Sequence, residues 1–423
     1  MIFFNKLVAG EKFFTKLKIS KLPAKLEADI ELPASKSISN RLLILREIFD
    51  RSFEVENLSE ARDTYILQKS LDKIRSHKDS SALEINIKDA GTAMRFLTAF
   101  LAARKGSYIL TGDKRMQKRP IKPLVDALRS LGADISYLIN EGYPPLMING
   151  GKLKGGNIKI DASVSSQYIS ALLLIAPVMQ NGIVIEPKNK IVSQPYIDIT
   201  IKLLNKLGIE AGYTINGGWF VKQGKPSATK ISVEKDWSSA AFWYCFAVLS
   251  EQADIKLKGL SLDSIQGDKI IANIYSNLGV ESIAFDYGIK LIKPQYFYEH
   301  NIQLDLRNYP DLAPPIIVSL ILLNINFRIK GLETLHLKES DRIKALSEEL
   351  AKVGIKLIEK SNGVLTWEGQ LLPFDKYKFE THNDHRIAMA LSLFASVADV
   401  EIRNASVVSK SYPGFWRELN KFY

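Results

Sequence analysis

The chain carries one cysteine, Cys245, in 423 residues. A lone thiol excludes intrachain disulfides and multi-cysteine zinc sites. Its setting, Ala240-Ala-Phe-Trp-Tyr-Cys-Phe-Ala-Val-Leu249, is an apolar helical run in which a thiol packs as a small hydrophobe. Histidine is scarce as well. Of the five, only His382 and His385 lie close together, and no further ligands stand at metal spacing, so no metal is expected. Long apolar runs are missing: residues 168–179 and 313–323 fall well short of the ~20 needed to span a bilayer. The N-terminal stretch is interrupted by Lys6, Glu11, Lys12, Lys16 and Lys18, which leaves no secretory h-region. A cytoplasmic protein without a membrane partner is the expectation.

Hydrophobic residues make up 46% and charged residues 24%, a globular composition in a chain long enough for two or three domains. Lys and Arg number 57 against 46 Asp and Glu, a net charge of +11. Nucleic acid is not the expected partner, because there is no zinc-finger spacing, no RNP-type aromatic motif and no basic block longer than residues 114–119. Solvated lysine faces and a pocket for small polyanions remain.

A short polar segment followed by a long apolar run recurs six times, as SKSISNRLLIL, DAGTAMRFLTAFLA, SVSSQYISALLLIA, DWSSAAFWYCFAVL, PDLAPPIIVSLILL and NDHRIAMALSLFA. Counted from Ser35, Asp89, Ser163, Asp236, Pro310 and Asn383, the steps are 54, 74, 73, 74 and 73 residues. Such a period marks repeated structural units. A second helix start follows each, near Arg62-Asp63, Arg119-Pro120, Gln194-Pro195, Gly267-Asp268, Ser340-Asp341 and Tyr412-Pro413. Gly132, Gly208, Gly279 and Gly354 read as C-caps. The first helix of each unit is apolar almost all round and must be buried on every side, whereas the second is amphipathic, as in Ile343-Lys-Ala-Leu-Ser-Glu-Glu-Leu350. The expected fold class is α/β: two inside-out α/β domains of three units each, buried helices covered by sheets.

The chemically useful residues gather at these helix starts. Lys36, Ser37 and Arg41 open the first, with Arg95 at the next apolar helix, Ser165, Ser166 and Gln167 at the third, and Asp384 and Arg386 at the last. Arg119, Ser193 with Tyr196, Lys338-Glu-Ser-Asp-Arg342 and Lys410-Ser-Tyr-Pro413 stand at second-helix starts. A helix N-terminus offers orphan N–H groups and a positive dipole end. Ser, Asp and Asn are ordinary caps there. Lys and Arg oppose the dipole, so their repeated presence implies an anionic ligand that neutralises them.

Leu32-Pro-Ala-Ser-Lys-Ser-Ile-Ser-Asn-Arg41, Asp89-Ala-Gly-Thr-Ala-Met-Arg95, Val164-Ser-Ser-Gln167, Lys338-Glu-Ser-Asp-Arg342, Asn383-Asp-His-Arg386 and Lys410-Ser-Tyr-Pro413 resemble, in order, the 5-enolpyruvylshikimate-3-phosphate synthase family, from about residue 17 to the C-terminus. The resemblance implies a shikimate-pathway enzyme that joins phosphoenolpyruvate to shikimate 3-phosphate and releases phosphate without a cofactor. It also implies a discontinuous domain of residues 1–35 plus 234–423, a second domain of 36–233, an active site in the cleft between them, and a monomer.

By motif, Ser37 and Arg41 would hold the shikimate carboxylate. Ser165, Ser166 and Lys338, with Gln167 and Ser193 nearby and Tyr196 as a further wall, would hold its 3-phosphate. Lys36, Arg119 and Lys410, close to Gly91, would meet the phosphate of phosphoenolpyruvate, and Arg342 and Arg386 would clamp its carboxylate. Lys36 and Gln167 would touch both substrates, and Lys36 is counted with the catalytic groups. Asp311, also against shikimate 3-phosphate, resembles the base for the 5-hydroxyl, and Glu339 the acid for the methylene carbon. Each substrate carries about −3, taking ~1.5–2 charges per phosphate. Repulsion in an empty site implies domains that close only on binding.

Three positions depart from the family. Asp89 replaces a usual Asn and places an extra carboxylate near an anionic ligand, to be paired with Lys88 or Arg95 or else to weaken phosphoenolpyruvate binding. Phe96 replaces a Pro, and Thr334 an Asn. The rival readings are UDP-N-acetylglucosamine enolpyruvyl transferase and a non-catalytic polyanion-binding protein. The first uses a loop cysteine and an Asn after its first lysine, where this chain has Ser37 and a cysteine inside an apolar helix. The second gains nothing from Asp311 and Glu339 among so many cations.

Overall fold

The computed structural model describes residues 2–4, 16–79, 81–293, 301–372 and 376–423. Lys6, Glu11 and Lys12, which interrupt the N-terminal stretch, lie outside the described residues. The chain divides into two compact units, one of Met1–Pro33 and Glu234–Tyr423, the other of Ala34–Val233.

All six apolar runs are helical: Lys36–Ile48, Gly91–Ala102, Ser166–Ile175, Trp237–Leu249, Ala313–Leu322 and His385–Leu391. Their lack of a polar face decides where they sit. Every residue of Ala313–Leu322 and of His385–Leu391 is buried, as is every residue from Ser239 to Val248. Cys245 lies in the last of these, its Sγ 3.0 Å from the Tyr275 hydroxyl. Burial pushes the thiol up to about 12, so it is inert. The second helices are amphipathic and cover this layer; Arg342–Ala351 buries Ile343, Leu346 and Leu350. Gly132, Gly208, Gly279 and Gly354 all take positive φ at helix ends.

Five sheets share one strand arrangement: a parallel pair extended on one edge by an antiparallel pair of strands. In the Ala34–Val233 unit, Leu83–Asn86 runs parallel to Gly106–Thr111, and Leu146–Gly150 and Asp134–Tyr137 follow. Gly156–Ile160, Ile183–Pro187, Trp219–Val221 and Ala211–Tyr213 repeat the pattern. The remaining sheet of that unit has only Glu54–Glu56 parallel to Lys230–Ser232. This explains the short first step. The next four units spend about twenty more residues (74 − 54) on a hairpin that the first unit lacks, since Leu83–Asn86 starts soon after the Arg62–Ser76 helix ends.

In the other unit the N-terminal segment completes two sheets. Lys25–Glu31 pairs in parallel with Gln252–Lys258, and the Ile2–Phe4/Lys16–Ile19 hairpin adds to Asp399–Arg403. The last repeat therefore takes its hairpin from the opposite end of the chain. Asn301–Asp305, Asn326–Lys330, Val364–Trp367 and Ile358–Ser361 form the third sheet.

Adjacent glycines show how tightly helix and sheet meet. A Cβ on Gly150 would lie 2.0 Å from the carbonyl oxygens of Leu101 and Arg104, whereas one on Gly151 would meet nothing within 4 Å. Backbone cannot yield as a side chain can. Gly150→Ala is expected to cost at least ~2 kcal/mol in denaturant unfolding, and Gly151→Ala to stay within about 0.5 kcal/mol.

Candidate active site

In the Ala34–Val233 unit, four helix starts are sewn together by side chains. Lys36 is the first residue of Lys36–Ile48, whose first turn holds no acid and whose Ser35 makes no side-chain cap. Its Nζ stands 3.5 Å from Oδ2 of Asp63, a buried carboxylate in the first turn of Arg62–Ser76. The neighbouring Arg62 donates from Nη2 to both oxygens of Asp89 at 2.6 Å. The expectation paired Asp89 with Lys88 or Arg95; the bonds seen here come from Arg62, and Arg95 is buried. It donates to the carbonyls of Gly91 and Pro120, each at 3.1 Å. The Tyr168 hydroxyl reaches the same Pro120 carbonyl at 2.6 Å, so the segment carrying Arg119 is held from two sides.

Gly91 opens its helix directly against Arg119. A Cβ there would lie 2.5 Å from Arg119 Nη1, so only glycine lets the guanidinium approach the helix N–H groups. Gln167 donates from Nε2 to Thr92 Oγ1 at 3.4 Å and joins the third helix start to the second. Ser165 accepts from the Gln167 N–H as a cap, and Ser166 is buried beside it. Ser193 precedes Gln194–Lys206 with a left-handed backbone (φ 55°) and makes no side-chain cap.

Arg41 is buried and already bound. It donates to Thr200 Oγ1 (2.7 Å), the Ser37 carbonyl (2.8 Å), Ser170 Oγ (3.1 Å) and the Tyr196 carbonyl (2.8 Å). These bonds employ four of its five N–H groups. Its guanidinium carbon lies 5.3 Å from the centroid of the Phe96 ring, which gives the replacement of proline there a packing role. Burial lowers the Arg41 pKa to about 10.

The other unit carries an ion network centred on Arg342, the first residue of Arg342–Ala351 and fully buried. Its Nε donates to Asp384 Oδ2 at 2.8 Å, Nη1 to Asp311 Oδ1 at 2.9 Å and Nη2 to Glu339 Oε2 at 3.0 Å. Arg386 donates from Nη2 to Asp311 Oδ2 at 2.9 Å. The Asp311 carboxylate thus lies across two arginine forks. Burial alone would raise its pKa, but Arg386, Lys338 and Arg342 overcome it and hold the group far below the usual carboxylate range. Arg342 is kept charged in turn: burial opposes the charge, and Asp384, Glu339 and Asp311 outweigh it. Asp268 takes the hydrogen bond of Ser238 Oγ beneath this cluster, and burial, with Asp311 near, pushes it up to about 6.

Asp311, Glu339, Arg342 and Arg386 therefore meet in one network. Lys338 precedes it on the same loop, and Lys410 is fully buried at the end of Ala405–Lys410. Thr334 is buried with Oγ1 lacking a hydrogen-bond partner. Sequence reasoning placed Asp384 and Asp63 at helix starts but assigned neither an ion-pair partner. Asp384 caps its helix through the Arg386 N–H, takes Ser340 Oγ at 3.1 Å and binds Arg342. The available signal was the acid in each dipeptide or tetrapeptide motif that also supplies a cation. Among the described residues, no group of three His, Cys, Asp or Glu is placed to hold a metal, and no helix is long and apolar enough to cross a membrane.

Known proteins are similar to this chain in sequence and in fold. The EPSP synthase (3-phosphoshikimate 1-carboxyvinyltransferase) family matches over residues 21–419. The 3-phosphoshikimate 1-carboxyvinyltransferase of Bacteroides fragilis strain YCH46 is 43% identical over 94% of this chain and 96% of its own. That of Haemophilus influenzae strain PittEE is 36% identical over 94% and 96%. In structure, EPSP synthase from Acinetobacter baumannii superposes with a TM-score of 0.71 at 23% identity, covering 95% of this chain and 97% of that one. The chain belongs to the EPSP synthase family, the enzymes that transfer the enolpyruvyl group of phosphoenolpyruvate to shikimate 3-phosphate in the shikimate pathway.

Proposed function

We propose that residues of both units serve this one pair of substrates. Lys36, Arg119 and Lys410, beside Gly91, take the phosphate of phosphoenolpyruvate, with Gln167 alongside, and Arg342 and Arg386 take its carboxylate. Ser165, Ser166, Gln167, Ser193 and Lys338 receive the 3-phosphate of shikimate 3-phosphate, and Ser37 and Arg41 its carboxylate. The observation that carries the reading is the Asp311 carboxylate lying across Arg342 and Arg386, each at 2.9 Å. A site that holds its own carboxylate in that fork is shaped to hold a substrate's.

Glu339 donates a proton to the methylene carbon, and the neighbouring carbon becomes electrophilic. The 5-hydroxyl oxygen adds to it while Asp311 accepts the hydroxyl proton, giving a tetrahedral ketal. Loss of phosphate, with a proton returned from the methyl group, forms the enol ether. Asp311 is a weak base while both arginines face it. A substrate carboxylate sharing those arginines weakens their hold and raises its basicity, so base strength arrives with the ligand. The same sharing loosens Glu339 from Arg342. Both substrates are multiply charged phosphate esters that do not cross a bilayer unaided, which supports action in the cytoplasm. A monomer is inferred, with a mass near 47.5 kDa expected by light scattering.

Glu339→Gln and Asp311→Asn are each expected to lower phosphate release by roughly 100-fold or more, while calorimetry still finds shikimate 3-phosphate bound. Full turnover in either variant removes that residue from its role. Gly91→Ala should displace the Arg119 guanidinium and raise KM for phosphoenolpyruvate about tenfold, with KM for shikimate 3-phosphate and Tm little changed because only a flexible tip must move. Steady-state kinetics with each substrate varied in turn checks this.

A further inference from the structure

Arg62 has no part in the roles above, and its location is unfavourable taken alone. It opens the Arg62–Ser76 helix, a cation at the positive end of the dipole. Both oxygens of Asp89 lie 2.6 Å from its Nη2. Asp89 stands one residue before the cap of Gly91–Ala102 and two before Gly91, whose Cβ direction meets Arg119. An anionic side chain therefore sits beside the helix start assigned to the donor's phosphate, where an asparagine would add no charge. The next residue, Asp63, balances Lys36. One dipeptide thus reaches two neighbouring helix starts with opposite charges.

We propose that Arg62 is a positioning residue for phosphoenolpyruvate: it ties down and neutralises Asp89, so that the carboxylate does not repel the donor phosphate. This rests on the phosphate placement proposed at Gly91, Arg119 and Lys36. The pair is partly exposed, with side chains 46% and 27% accessible, so its contribution to stability is small and its effect is on the local field. An aspartate at this position creates a need for a cation, and Arg62 meets it.

The test is steady-state kinetics at low salt on Arg62→Gln, Asp89→Asn, the double variant and the parent, with thermal unfolding to establish equal folding. Arg62→Gln is expected to raise KM for phosphoenolpyruvate about fivefold, leaving kcat and KM for shikimate 3-phosphate near the parent values. Asp89→Asn should match or lower the parent KM. The double variant should return to the Asp89→Asn value, because no carboxylate is left to neutralise. Added salt should narrow the gap between Arg62→Gln and the parent. An unchanged KM in Arg62→Gln overturns the proposal, as does a double variant as weak as Arg62→Gln, which would mean that Arg62 acts on the ligand itself. Gly91→Ala separates the two levels. If it raises KM for phosphoenolpyruvate and Arg62→Gln does not, this inference alone fails; if neither does, the phosphate placement fails with it.

Discussion

Cationic side chains are stationed where helix dipoles already point their positive ends, and the rest of the molecule is arranged around that conflict. Lys36, Arg62, Arg342 and Arg386 all stand in the first turn of a helix. A cation there is disfavoured by a few tenths to about 1 kcal/mol, more when water is excluded. Without an anion from outside, the protein must supply its own. Asp63 does so for Lys36, and Asp311 and Asp384 do so for Arg342, with Arg386 on the far side of Asp311.

These internal carboxylates tie each cationic helix start to particular acid atoms. Arg342 is buried, and a buried guanidinium stripped of its partners would cost several kcal/mol, so Asp384 is a condition for the fold as well as for the site. Asp311 is different. It is about one-fifth exposed and is held between two arginines, Arg342 and Arg386. One acid of the network is sealed from solvent and the other is partly open to it. The division follows from which of them the helix caps: Asp384 is committed to the Arg386 N–H, whereas Asp311 lies on the short Pro310–Leu312 turn.

The architecture was largely legible in the chain because its causes are local and periodic. Six apolar runs at a near-constant step can only be buried helices, and the short step of 54 residues records the hairpin that the first unit lacks. That the N-terminal hairpin finishes the last sheet was not written in the period and emerges only from strand pairing. Partnerships were not legible in the same way. The sequence suggested Lys88 or Arg95 for Asp89; Arg62, 27 positions away, reaches it through helix packing, while Arg95 turns to the Gly91 and Pro120 carbonyls. The pairing of Phe96 with Arg41 likewise joins residues 55 positions apart (96 − 41) that no pattern links.

By itself, then, the order of residues determined the repeated units, the buried layer and the kinds of group gathered at helix starts, because hydrophobic period, caps and dipoles act over a few residues. Which acid neutralises which base, and which arginine turns to backbone carbonyls rather than to a carboxylate, were decided by tertiary packing. Charges interact across space with a strength set by separation and burial, and neither is written in the local sequence.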